Sequence, residues 1–290
     1  MNIVVASGKG GTGKTLVATS LALAASEQGQ TVFLDCDVEA PNAGLFLKPE
    51  LSRRVEAVSL TPEVDADLCT LCGRCAEVCQ YHAIAALPKK VMVFMEMCHG
   101  CGSCAVNCPE QAIQEIPFSI GVLEFGRAGG MAFGQGTLNV GEAMATPVVR
   151  QLKKQAAKIL ACEGDTTILD APPGTSCPVI EALRGADFAL LVTEPTPFGL
   201  HDLKLAAEVA REALRIPTGV VINKDGVGDQ GVEVFCREAR IPVLMRIPLD
   251  RRIAEAYSDG VPLLEAMAEY RSRFEALLAR IRETVQARVL

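Results

Sequence analysis

The chain has 290 residues, 49% of them apolar, and a formal charge of −7. That length can bury one large α/β core with a small insert, and no apolar run approaches the ~20 residues a membrane-spanning helix needs. The acidic balance disfavours non-specific nucleic-acid binding through a basic surface. Twelve cysteines, eight of them at metal-ligand spacing, disfavour an oxidising compartment and a disulfide framework.

Residues 2–7, NIVVAS, predict a buried strand, and no targeting signal precedes it, so a cytoplasmic protein is expected. Gly8-Lys9-Gly10-Gly11-Thr12-Gly13-Lys14-Thr15 follows and fits G-x-x-x-x-G-K-[ST]. Lying between a strand and a helix pattern that ends at Gly29, it reads as a phosphate-binding loop. Its glycines let backbone N–H groups converge on phosphate oxygens. Lys14 is expected at the terminal phosphates of ATP and the Thr15 hydroxyl on Mg²⁺. TVFLDCD at 31–37 is a second buried strand.

Pro41, Pro49 and Pro62 then punctuate a stretch leading to the cysteines. Residues 69–79 read CTLCGRCAEVC and residues 98–108 read CHGCGSCAVNC, both C-x-x-C-x-x-C-x-x-x-C. This spacing holds cubane iron–sulfur clusters, with the fourth cysteine of each run ligating the other cluster. One 4Fe–4S cluster is therefore expected on Cys69, Cys72, Cys75 and Cys108, and the other on Cys98, Cys101, Cys104 and Cys79. Zinc, the rival, usually takes two separated pairs. Cys108 precedes Pro109, whereas Cys79 precedes Gln80. Each run leads into a short strand, HAIAAL at 82–87 and QAIQEI at 111–116, so residues 63–117 read as a duplicated ferredoxin-like module. His82 and His99 are expected to pack or face solvent.

Seven glycines between Gly121 and Gly141 suggest a surface loop or a mobile element. The α/β pattern resumes with a helix at 147–161 and strands at 166–171, 187–194, 218–224 and 242–248. A helix at 199–215 and an amphipathic C-terminal helix complete it. The expected fold is α/β: a mostly parallel, doubly wound P-loop sheet flanked by helices, with a small α+β insert. The boundaries read 1–62, 63–117 and 118–290. Cys36, Cys162, Cys177 and Cys236 stand outside the two runs.

The K-G-G-x-G-K-T loop resembles the deviant Walker A motif of the MinD/ParA/Mrp ATPases, relatives of the nitrogenase iron protein. The resemblance implies that Lys9 reaches a partner's phosphates in a nucleotide-sandwich dimer. DCDVEAPN at 35–42 resembles that family's switch, implying that Asp37 orients the attacking water and Asp35 lies near Mg²⁺. ILDAPPG at 168–174 resembles its Walker B strand, with Asp170 holding Mg²⁺ through water. VINK at 221–224 and RIPLDRRIAEAYSDGVPL at 246–263 resemble the segments around the base, implying contacts from Asn223 and Pro248. Asp225 stands one place too early for the N-K-x-D of a GTPase, which favours ATP. Cys177 lies at the offset of a cluster ligand in the nitrogenase iron protein, but no second such cysteine accompanies it. A small buried residue or an interfacial redox role is expected there.

Taken together, the chain resembles MinD-superfamily ATPases that carry an inserted two-cluster ferredoxin domain, a group that occurs as paired paralogues. The resemblance implies a homodimer or a heterodimer with a paralogue, acting on a redox or client protein, without stable membrane insertion. ATP-gated electron transfer is the leading expectation. An iron–sulfur assembly or carrier ATPase resembling Mrp is the second, and a MinD/ParA-like spatial organiser with redox-sensing clusters the third.

Overall fold

The structure, a computed structural model, describes residues 1–160 and 166–287, so Cys162 lies outside the described residues. In chain order the first half contains β1 (Asn2–Ser7), α1 (Lys14–Ser26), β2 (Thr31–Asp35), α2 (Ala43–Leu47), β3 (Glu50–Val64), α3 (Arg74–Val78), β4 (Ile84–Leu87), β5 (Lys90–Val93), α4 (Ser103–Val106), β6 (Ile113–Ala128) and β7 (Met131–Leu138). The second half contains α5 (Ala145–Ile159), β8 (Thr166–Pro173), α6 (Cys177–Leu183), β9 (Phe188–Thr193), α7 (Pro197–Ala207), β10 (Thr218–Asp225), α8 (Gly231–Glu238), β11 (Val243–Pro248), α9 (Arg251–Ser258), α10 (Leu263–Ala266) and α11 (Tyr270–Gln286). The chain packs as two compact units. One is Met1–Arg54, Leu123–Thr137 and Val149–Leu290; the other is Val55–Val122 and Leu138–Val148.

The strands pair in a sheet of order β11-β10-β9-β1-β8-β2-β7-β6-β3, of which β3 from Val55 on and β6 up to Val122 belong to the second unit. From β11 to β7 the pairs are parallel. These strands read as unbroken apolar runs because helices cover both faces of a parallel sheet. Five of the six residues of β1 are buried, and Phe33 on β2 stacks on Phe133 of β7 with ring centres 5.9 Å apart. The C-terminal amphipathic stripe is core: α11 buries Tyr270, Phe274, Leu277, Leu278 and Ile281. Among the described residues no helix is long and apolar enough to cross a membrane.

Two expectations are corrected. The Gly-rich segment is not a surface loop: most of it forms β6 and β7. Gly129 and Gly130 make the two-residue turn between them, which fits an antiparallel hairpin. Gly126 is required by close packing, since a Cβ there would lie 2.0 Å from the Glu50 carbonyl oxygen. The Pro-punctuated stretch likewise contains a strand, β3, with Pro62 inside it. As β3 ends the sheet order, the missing N–H of a proline is tolerated there.

The second unit holds the cysteine runs and an antiparallel β4–β5 pair in which Ile84 faces Val93 and Leu87 faces Lys90. Its backbone repeats. Left-handed φ angles occur at Leu71 and Gly100, at Gly73 and Gly102, and at His82 and Gln111. Within each pair the separation is 29 residues, the same as between matching cysteines. Leu71 at φ 58° is unusual for a residue with a branched side chain. Its recurrence opposite Gly100 marks a position the duplicated loop demands. Cys75, Cys104, Ile84 and Ile113 form this unit's small core.

Candidate functional site

Open parallel sheets bind ligands beyond the carboxyl ends of their strands. Here the loop 8–13 leaves the end of β1. Register sets Val5 beside Asp170 and Asp170 beside Asp35, so three neighbouring strands deliver their acidic ends and the loop to one edge. Glu194 follows β9, while Lys224 and Pro248 lie at the ends of β10 and β11.

Gly13 caps α1 at φ 89°, and a Cβ there would lie 2.2 Å from Asn223 Nδ2. Lys14 Nζ donates to Asp170 Oδ1 at 3.0 Å and lies 3.9 Å from Asp37 Oδ2. Thr15 Oγ1 donates to Asp170 Oδ2 at 2.6 Å. Burial lowers the Lys14 pKa, but the adjoining Asp170 carboxylate outweighs it and holds the ammonium above its ordinary value. Burial pushes the Asp37 carboxyl up, opposed by Lys14. Thr12 Oγ1 is buried and without a hydrogen-bond partner among the described residues. An orphaned hydroxyl inside a phosphate-type loop suits a ligand with oxygens to offer.

Asp35 is placed differently from its neighbours. Its Oδ1 accepts from Asp37 N at 3.1 Å, and its Oδ2 accepts from Asn42 N and Ala43 N, both at 3.0 Å. It therefore braces the loop that carries Asp37. Burial and the nearby Asp170 push its carboxyl up to about 7.

Asn223 and Pro248 line a cavity of about 300 Å³ with Leu16, Ile253 and Tyr257 among its walls. Asn223 Nδ2 is already spent on Thr12 O at 2.8 Å, so this side chain also fastens β10 to the loop. Lys9 is folded onto Glu194. Lys224 Nζ donates to the same carboxylate at 3.1 Å and to Gly11 O at 3.0 Å.

In the second unit the cysteines sort into two cavities. One is lined by Cys69, Cys72, Cys75 and Cys108, the other by Cys79, Cys98, Cys101 and Cys104. Each set takes three cysteines from one run and the fourth from the other. Cys79 Sγ accepts from Ala83 N and Cys108 Sγ from Ala112 N, both at 3.3 Å. All eight thiols are free. Burial pushes the Cys75, Cys98 and Cys104 thiols up, and a metal centre supplies the positive charge that deprotonates coordinating thiols. Each cavity is thus lined by four thiols, the donor type and number that a 4Fe–4S cluster takes. His82 and His99 are exposed. His99 stacks on Tyr81 with ring centres 3.6 Å apart.

A family model for the CobQ/CobB/MinD/ParA nucleotide-binding domain matches residues 3–263. The chain belongs to this family. It is 31% identical to MJ0578, an uncharacterized protein of Methanocaldococcus jannaschii, over 98% of this chain and 98% of that protein. MJ0579 of the same organism is also 31% identical, over 91% of this chain and 92% of its own length. An iron–sulfur cluster carrier protein of M. jannaschii is 28% identical over 43% of this chain and 49% of its own length. The cell division ATPase MinD of Pyrococcus furiosus aligns over 97% of this chain and 98% of its own, with TM-score 0.59 and 21% identity, a likeness of fold.

Within this family fold, Cys177 is exposed at the start of α6. The expected small buried residue is not found, because the helix turns Val179, Ala182 and Leu183 inward instead. Glu194 as the partner of Lys9, and Lys224 as the second lysine on that carboxylate, escaped sequence reasoning. The signal that could have found Glu194 is positional: an acidic residue at the carboxyl end of a strand in a P-loop sheet.

Proposed function

We propose that the chain is a Mg²⁺-dependent ATPase bearing two 4Fe–4S clusters, in which nucleotide turnover gates electron transfer to a partner protein. The observation that carries the reading is the sorting of eight cysteines into two crossed sets of four, in a chain that also has a complete phosphate loop. When bound, the clusters would supply one-electron transfer and Mg²⁺ would neutralise phosphate charge.

The chain's own residues do the rest. Backbone N–H groups of Gly8, Gly10, Gly11, Thr12 and Gly13 cradle the phosphates of ATP at the amino end of α1. Lys14 turns from Asp170 to the terminal phosphates. Thr15 and Asp170, with Asp35 behind them, would hold Mg²⁺ when it is bound. Asp37 orients the attacking water, and Asp35 keeps its loop in place through three backbone hydrogen bonds. Leu16, Pro248, Ile253 and Tyr257 enclose the base, with Asn223 at the cavity wall. Lys9 contributes from one protomer to the other in a dimer, formed with a second copy or with a paralogue. The two M. jannaschii relatives support the paralogue form.

The test is anaerobic. ATP hydrolysis with and without Mg²⁺ is measured beside cluster EPR spectra with and without nucleotide. Hydrolysis without any effect of nucleotide on spectra or electron-transfer rates would defeat gating. A second reading, an iron–sulfur carrier or assembly ATPase, draws support from the similarity to the cluster carrier protein. Transfer of iron and sulfide to an apo-protein would favour it.

A further inference from the structure

Glu194 sits where two lysines compete for one carboxylate. Lys9 Nζ holds Oε1, Lys224 Nζ holds Oε2 at 3.1 Å, and Lys224 also donates to the Gly11 carbonyl of the phosphate loop at 3.0 Å. The carboxylate itself is fixed. Its side chain is 14% exposed, against 30% for Lys9 and 40% for Lys224. Its backbone is locked against the first turn of α7, where a Cβ on Gly199 would fall 2.2 Å from Glu194 O. Thr196 caps that turn by accepting from Gly199 N at 3.0 Å. Lys224 is also held in position, by a left-handed backbone at φ 54° that a residue with a side chain adopts at a cost. Lys9 stands on the glycine-rich loop between Gly8 and Gly10.

Two ammonium groups on one carboxylate leave a surplus positive charge beside the loop. A triphosphate brings several negative charges within reach of Lys9 when the dimer forms, and outbids a single carboxylate for its ammonium. Burial pushes the Glu194 carboxyl up, but the two lysines bring it below its ordinary value, so it stays ionised. It therefore also repels incoming phosphate.

We infer that Glu194 is a positioning residue for Lys9: it holds the Lys9 ammonium until the phosphates of a bound nucleotide take it over, and Lys224 eases the release by sharing the carboxylate. The inference rests on the reading of Gly8–Thr15 as an ATP site. It makes nucleotide binding an exchange of counter-ions, in which affinity is set partly by a residue that touches no nucleotide.

The experiment measures binding of a non-hydrolysable ATP analogue with Mg²⁺ to the full chain, anaerobically, in a double-mutant cycle. Glu194→Gln is expected to bind about two- to fivefold tighter, the range for a partly exposed ion pair. In the Lys9→Ala background the same change is expected to have no effect. Glu194→Asp, which keeps the charge but withdraws it, is expected to tighten binding less than Gln. It serves alone if the Gln variant fails to fold. Lys224→Met is expected to weaken binding when Glu194 is present and not in the Glu194→Gln background. Weaker or unchanged binding in both Glu194 variants would overturn the inference. So would a gain that persists undiminished without Lys9, which would mean simple removal of a repelling charge. If the wild type does not bind the analogue, or binds it no better than Lys14→Ala, the nucleotide site itself fails and the inference with it.

Discussion

Thr15 and Asp170, 155 residues apart in the chain, meet through a 2.6 Å hydrogen bond from the hydroxyl to Oδ2, while Lys14 occupies Oδ1 of the same carboxylate. Both donors are residues that a Mg–nucleotide complex would claim. Asp170 thus holds the site together before ligand arrives, and its register beside Asp35 and Val5 keeps it at the mouth of the loop.

Lys14 and Asp37 are therefore expected to separate on mutation. Lys14→Ala removes the cation of the phosphate cradle and should weaken ATP-analogue binding by about tenfold or more, on the scale of a lost charge-assisted contact. Asp37→Ala should leave binding largely intact and cut turnover by about 100-fold or more, as loss of a water-orienting group does. Calorimetric binding and phosphate release on both variants check this. Equal turnover in wild type and both variants would refute the assignment.

Protein purified anaerobically is expected to carry about eight iron and eight sulfide per chain, the content of two cubanes. Cys75→Ser should damage the cluster of one cavity and Cys104→Ser that of the other, each variant retaining about half the iron. Metal analysis with visible absorption spectra decides it. Stoichiometric zinc with no iron–sulfur charge-transfer bands would contradict it.

Cys177 should be the most readily alkylated of the described cysteines in the cluster-loaded protein. Cys72 and Cys101 are also exposed but would be committed as ligands. Cys36 and Cys236 are buried, and burial pushes both thiols up, Cys236 to about 11. Mass mapping after brief iodoacetamide treatment reads the outcome. Cys236 modified as fast as Cys177 would show that α8 opens readily.

Arg150 grips Glu181 through Nε at 3.2 Å and Nη2 at 3.0 Å. These hydrogen bonds hold the Glu181 carboxyl below its ordinary value of 4.5, against the opposing effect of burial. Native Glu181 therefore stays ionised at pH values where the unfolded chain takes up the proton. The contribution is complete above about pH 4.5 and is lost as pH falls through the native value. Glu181→Gln should lower stability by about 1–2 kcal/mol at pH 7 and by less in acid. Urea unfolding at pH 7 and near pH 4 measures both. An equal loss at the two pH values would mean that the effect is packing and not charge.

The parts legible from sequence are those whose chemistry is local. Gly8–Thr15 announces a phosphate loop because backbone donors, a lysine and a hydroxyl must follow one another within a single strand-to-helix turn. The cysteine runs announce two sets of four because three cysteines at C-x-x-C-x-x-C spacing reach round one cavity, and a general rule for duplicated runs assigns the fourth. The parallel strands were readable as apolar runs, since burial on both faces leaves no polar alternation. Tertiary structure alone decided the rest. Glycines that suggest a loop become β6 and β7 because Gly126 must let the Glu50 backbone approach. Cys177 faces outward because the buried side of α6 falls on other residues. Lys9 meets Glu194 across 185 residues, a pairing that no local pattern encodes. It exists because β9 lies beside β1 in the sheet, and the order of strands is settled by the packing of the whole core.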